Sequence, residues 1–122
     1  MTFSDLGLRS QVVKAVTDMG FEQPTPIQEQ AIPHLLKTSS DFVGLAQTGT
    51  GKTAAFGLPL IEMINSKSRK VQALVLVPTR ELAIQVSEEI NSLKGKKKLT
   101  IIPIYGGQSI DQQFRRLKKG VH

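Results

Sequence analysis

The chain contains no cysteine and no run of about 18 consecutive apolar residues. The first absence excludes a disulfide framework and a cysteine-ligated zinc site, and the second leaves a soluble cytosolic protein as the default expectation. A basic stretch leading into an apolar core is missing from MTFSDLGLRS, so nothing there reads as a secretory signal and the chain is taken as mature. No internal repeat is present, and the one low-complexity patch, KGKKK, reads as an exposed loop. His34 has no partner at metal-ligand spacing, which leaves it a surface or packing role. Acidic residues are scarce toward the end: from Lys94 onward eight basic residues face a single acid, Asp111.

What is present fits one domain. A chain of 122 residues buries roughly two-thirds of the surface its unfolded form exposes, enough for one core. Its net charge of +6, with half of the basic residues lying in the last quarter, suits a polyanionic partner or a plain solvated basic surface, and charge alone does not decide between them.

Hydrophobic spacing alternates between two periods. Leu8, Val12, Val13, Val16 and Met19 mark a helix over residues 8–19, stopped by Gly20. Ile27, Ala31, Ile32, Leu35 and Leu36 mark another after PTP, with Pro33 expected to kink it or shift its start. Residues 42–46 form a short apolar run, followed by a glycine-rich loop and helical character from Thr53 to Ile64 despite Gly57 and Pro59. VQALVLV, 71–77, is apolar almost throughout and suits a strand buried on both faces. A helix carrying Leu82, Ala83, Val86, Ile90 and Leu93 follows, then the strand LTIIPI, 99–104. Ile110, Phe114 and Leu117 give the apolar face of a last helix after the Gly106–Gly107 turn, while Met19 and Met63 read as core filler. The order β-α-β-α-β-α predicts an α/β fold, a parallel sheet with helices on both faces.

AQTGTGKT, residues 46–53, sits between the first strand and its helix and matches a phosphate-binding loop except for Ala46 at the first glycine position. Gly49 and Gly51 let the backbone curl so that N–H groups point inward at phosphate oxygens, and the helix start adds free donors and positive dipole. Lys52 reaches the β- and γ-phosphates and the Thr53 hydroxyl takes a Mg²⁺ position. Such a loop touches phosphates only, so the base must be read elsewhere.

GFEQPTPIQ (20–28), AQTGTGKT, PTRELA (78–83) and GG (106–107), in that order, closely resemble the start of the first RecA-like domain of DEAD-box ATP-dependent RNA helicases, across essentially the whole chain. In that family alanine is the usual first residue of the loop. The resemblance implies ATP and Mg²⁺ as cofactors, bound through Phe3, Gln23, Thr25, Gln28, Gln47, Thr48, Gly49, Thr50, Gly51, Lys52 and Thr53, with Lys52 and Thr53 in the catalytic positions. Gln28 is implied as the adenine reader, its amide offering one donor and one acceptor to adenine's edge and a mismatch to guanine's. Phe3 matches the upstream aromatic that stacks on the base, although a core aromatic fits it too, and Thr25 matches a tether to the loop. Pro78, Thr79, Arg80, Gly106, Gly107 and Gln108 are implied to grip the RNA backbone without reading bases; a proline and N-cap threonine opening a helix is the plainer account of Pro78 and Thr79.

The family's Asp-Glu-Ala-Asp, Ser-Ala-Thr and Thr-Pro-Gly-Arg segments do not occur, nor does a second RecA-like domain with its arginine finger. Residues 1–122 are therefore expected to be the N-terminal portion of the first helicase domain, its sheet incomplete at the C-terminal end. They should bind ATP and RNA but not hydrolyse ATP or unwind duplexes, since an arginine finger alone is worth on the order of 10³–10⁵ in rate. The strand at 42–46 is expected to carry an unpaired edge and to favour self-association. A stand-alone module binding adenine nucleotide or RNA, or a small-molecule kinase, are the competing readings. The latter lacks an acceptor lid.

Overall fold

The computed structural model describes residues 1–47, 49 and 51–122. A 3₁₀ turn at Phe3–Leu6 leads into α1 (Ser10–Asp18), α2 (Pro26–Lys37), α3 (Lys52–Met63), α4 (Arg80–Leu93) and α5 (Ile110–Lys118). The helix expected at 8–19 is α1, and Gly20 follows its end. Pro33 neither breaks α2 nor moves its start to Pro33; it lies inside the helix, as Pro59 lies inside α3. A proline donates no N–H, so the Glu29 and Ala55 carbonyls, four residues earlier, have no helical donor there.

The core is built where the helices meet. α3 packs between α2 and α4, and α1 closes over α3 and α4. Leu58 and Ile61 of α3 are fully buried with Ile32, Leu6 and Val16; each contributes about 1.5–3 kcal/mol from apolar burial. Arg9 pairs with Glu62 at 3.1 Å, and the Lys97 ammonium donates to the Ile61 carbonyl, pinning the 94–98 loop onto the end of α3. Partial burial holds the Lys97 ammonium below the ordinary lysine value, with Glu62 opposing that shift.

The parallel sheet predicted for 42–46, 71–77 and 99–104 is not formed: among the described residues no strand ladder occurs. The physical reason is spacing. Residues of segments 71–77 and 99–104 line a cavity of about 360 Å³ together with Val86 and Ile90 of α4. His122 stands between them as a single rung. Its carbonyl accepts from Gln72 N (2.7 Å) and Ala73 N (3.1 Å), and its N–H donates to the Thr100 carbonyl (3.1 Å). A chain interposed in this way sets its flanking segments about two strand spacings apart, too far to bond to each other. Segment 42–46 is open as well, with Leu45 93% exposed and Leu74 of the second segment 80% exposed.

Two apolar assignments are corrected by the same opening. No helix packs on α5 among the described residues, so Ile110, Phe114 and Leu117 are exposed, and the buried residue of that helix is Gln113. Met19 and Met63, expected in the core, are also exposed. No described helix is long and apolar enough to cross a membrane.

Candidate functional site

The loop at 46–53 runs into α3 through Gly51, which takes the N-cap position with φ 79° and ψ 31°, the left-handed region. A side chain there would place its Cβ 2.3 Å from Gln28 Nε2, so only glycine fits. Lys52 and Thr53 occupy the first turn of α3, Lys52 exposed and Thr53 half-buried. The first N–H groups of that turn, and its positive dipole, face the loop. Lys52 also lines a cavity of about 370 Å³ whose walls are Ile27, Ala31, Phe42, Gly44 and Phe56. Among the described residues it has no ion-pair partner. Thr48 and Thr50 lie outside the described residues; Gly49 and Gln47 are exposed.

Gln28 is brought to this loop by α2. Thr25 caps that helix and Gln28 is its third residue, the spacing of a capping box. One half of the box forms: Gln28 Oε1 accepts from Thr25 N at 3.0 Å. The other end of the amide, Nε2, donates to the Gly51 carbonyl at 3.1 Å. Gln28 is 4% exposed, so both polar atoms are committed inside the protein. The Thr25 hydroxyl is buried and has no partner among the described residues, while its methyl group lies 3.4 Å from where a Gly51 Cβ would stand. Gln23 is exposed just ahead of the helix. Phe3 belongs to the core, 3% exposed and clustered with Leu6, Leu58 and Ile61. The core role weighed for this residue is thus the one seen here.

At the far ends of segments 71–77 and 99–104 the second expected group assembles. Thr79 caps α4, its Oγ1 accepting from Leu82 N at 3.2 Å. Arg80 then reaches across to the glycine turn: its Nη1 lies 2.9 Å from the position of a Cβ on Gly107, whose φ of 86° again favours glycine. Pro78, Thr79, Arg80, Gly106, Gly107 and Gln108 are all exposed. The plain N-cap role of Thr79 is thus realised, and the guanidinium beside it remains open to an anion.

Spacing alone did not reveal how the glycine turn is held. Gln113, buried under α5, accepts from Tyr105 N at 3.1 Å and donates to the Tyr105 carbonyl at 3.3 Å, fixing the residue before Gly106. A glutamine between two apolar positions of an amphipathic helix carries no sequence signal of burial. His34 packs its ring 5.3 Å from that of Phe42, the packing role expected of it. Among the described residues no cluster of three or more His, Cys, Asp or Glu side chains forms.

Residues 25–122 match the DEAD/DEAH box helicase family model. Over 121 residues the chain is 56% identical to the DEAD-box ATP-dependent RNA helicase CshA of Geobacillus kaustophilus, covering 99% of this chain and 26% of that protein. The fold superimposes on the crystal structure of a DEAD box protein from Methanococcus jannaschii with a TM-score of 0.94 and 47% identity, covering 99% of this chain and 33% of the other. It also matches S. cerevisiae Dbp5 bound to RNA and ADP BeF3, with a TM-score of 0.77 and 30% identity over 95% of this chain and 34% of that one. The chain thus spans about a quarter to a third of the proteins it matches. With the family model matched over residues 25–122, the chain belongs to the DEAD/DEAH box helicase family.

Proposed function

We propose that residues 1–122 form the ATP-binding and RNA-backbone-binding portion of a cytoplasmic ATP-dependent RNA helicase, and that this portion binds both ligands without hydrolysing ATP. The observation that carries the reading is the Gln28–Gly51 contact, because it joins a side chain suited to adenine's edge to the backbone suited to phosphate. The polyphosphate lies against the Gly51–Thr53 turn, with Lys52 supplying the mobile ammonium. The cradle fits an anion because Gly51 leaves no Cβ in the way and the start of α3 presents its donors there. For Gln28 to read adenine, Nε2 releases the Gly51 carbonyl and turns outward; the buried, unpartnered Thr25 hydroxyl beside it is placed to take up a loop donor as the amide leaves.

The Thr53 hydroxyl would help hold Mg²⁺, and the ion when bound would supply positive charge against the phosphates. We read these residues as orienting a nucleotide, the activation of water falling to the Asp-Glu-Ala-Asp segment that does not occur in this sequence. RNA sugar-phosphate lies across Thr79, Arg80, Gly106, Gly107 and Gln108, with Pro78 fixing the approach; the contact is to backbone, hence independent of sequence. In a longer protein, segments 42–46, 71–77 and 99–104 become strands of a RecA-like parallel sheet. The relatives support this reading: one is named an ATP-dependent RNA helicase and another carries RNA with ADP BeF3.

The test is titration of fluorescent adenine and guanine nucleotides against the wild-type chain and Gln28→Ala. Adenine preference in the wild type that disappears in the variant is expected. Equal affinity for both bases in the wild type removes Gln28 as the reader, and no nucleotide binding removes the site.

A further inference from the structure

Segments 71–77 and 99–104 begin beside each other, where His122 bonds to Gln72, Ala73 and Thr100, and end beside each other, where Arg80 meets Gly107. They run in the same direction, and the residues just before each share the pole opposite Arg80. That pole is basic. Lys67, Arg69, Lys98 and Lys119, together with the Ser66 and Thr100 residues, line a groove of about 490 Å³. It shares Lys119 with a second groove of about 500 Å³ between Arg115, Arg116 and Lys118 on α5. Neither groove has an acidic residue in its walls. The ion pairs found among the described residues, Arg9–Glu62 and Lys14–Asp18, draw no cation from this face.

The face is also held in shape. Arg69 Nη1 donates to the Lys119 carbonyl at 3.2 Å, fastening the 66–70 turn to the end of α5. His122 Nδ1 accepts from Thr100 N at 3.0 Å, and its Nε2 lies 3.3 Å from the Ser66 carbonyl. Three stretches distant in sequence are thereby stapled together with their ammonium groups turned to solvent. Like charges packed closer than the Debye length, about 8 Å at physiological salt, repel unless an anion of matching extent lies across them.

We propose that this face binds the phosphodiester backbone of RNA, as a second contact separate from Thr79, Arg80 and Gly107. The two contacts stand at opposite ends of segment 71–77, on the order of 25 Å apart at a strand's rise per residue. The proposal rests on the RNA-binding reading above. Backbone rather than bases is the partner because no Phe, Tyr or Trp lines either groove and basic side chains dominate the walls. A lipid surface fits less well, since the large apolar residue at the main groove, Leu99, is buried.

The test compares wild type, Arg80→Gln, and a combined Lys67→Gln, Lys98→Gln, Arg116→Gln, Lys119→Gln variant. These four side chains make no hydrogen bond or ion pair within the described fold, so the variant should melt with the wild type. Anisotropy of a labelled oligonucleotide too short to bridge both poles, and of one several times longer, is measured against salt. Losing the four contacts should flatten the salt dependence for the long RNA by about 0.7 per contact in log–log slope, about 3 in all, and leave the short RNA nearly unchanged. Arg80→Gln should weaken both RNAs.

An unchanged slope for the long RNA overturns the proposal while leaving the Arg80 site intact. If Arg80→Gln has no effect while the combined variant loses long-RNA binding, the Arg80 site falls and this face stands. Failure of the chain to bind either RNA overturns both. Vesicles of anionic lipid that bind the wild type but not the combined variant, with RNA slopes unaltered, assign the face to membranes and overturn the proposal.

Discussion

Gln28 Nε2 donates to the Gly51 carbonyl at 3.1 Å, and the same nitrogen would stand 2.3 Å from any Cβ at position 51. Gly51→Ala therefore meets two penalties. A left-handed backbone costs an L-residue about 1–2 kcal/mol, and the methyl group displaces the Gln28 amide. The variant should melt several degrees below wild type and lose nucleotide affinity; an unchanged melting temperature with unchanged affinity would show that the clasp is not maintained in solution.

Gln113 holds the Tyr105 backbone at both its N–H and its carbonyl. Gln113→Leu should leave those groups unpaired and lower stability by about 1–3 kcal/mol in urea titration. Because the glycine turn follows directly, RNA affinity should fall as well. Full RNA affinity in a destabilised Gln113→Leu chain would show that the turn does not depend on this anchor.

Arg80 reaches within 2.9 Å of the position of a Gly107 Cβ. Gly107→Ala should push the guanidinium aside, and its effect should overlap with that of Arg80→Ala. Two residues in contact share one interaction, so the double variant should lose less RNA affinity than the sum of the single losses. Strict additivity in anisotropy titrations would separate the two residues functionally.

Asp5 takes hydrogen bonds from Thr2 N at 2.7 Å and Thr2 Oγ1 at 2.8 Å, which hold its carboxyl below the usual value of 3.8, the backbone bond being the larger cause. Because the folded value is lowered, the unfolded chain binds the proton more readily. The stabilisation is complete well above pH 3.8 and is lost as pH falls through the lowered folded value. Asp5→Asn should flatten that part of the acid limb, read as urea midpoint against pH. An acid limb identical to wild type counts against the cap.

Leu45 and Leu74 are solvated on segments that form no strand ladder among the described residues. Such edges pair between molecules. Light scattering should show self-association at high concentration, relieved by Leu45→Lys together with Leu74→Lys. A monodisperse wild-type monomer at every concentration would refute this.

Helices were legible in the sequence because their apolar residues recur at helical spacing: Val12 and Val16, Ile32 with Ala31, Ile90 with Leu93, all buried as expected. Their hydrogen bonds close within the segment. The sheet was not realised because VQALVLV and LTIIPI have the composition of strands but need partners that are distant along the chain, and composition cannot place a neighbour. The same dependence on neighbours turned Phe114 outward and Gln113 inward. The glycine loop and the PTRELA and GG segments stood out as motifs, and the structure brings Gln28 to Gly51 and Arg80 to Gly107. The inward set of the Gln28 amide was not foreseeable, because one side chain can serve a helix cap, a backbone carbonyl or a purine equally well.

Pro33 and Pro59 each fall two-thirds of the way along α2 and α3, the pair of helices with the most extensive mutual packing. Ahead of each proline lie the residues nearest the loop, Gln28 on α2 and Lys52 on α3, together with buried core side chains, Ile32 on α2 and Leu58 on α3. The missing donor makes the junction the softest point of bending along either rod. Because Ile32 and Leu58, each directly ahead of its proline, are fully buried, a bend at either junction carries core side chains with it, so movement at the loop is felt in the interior.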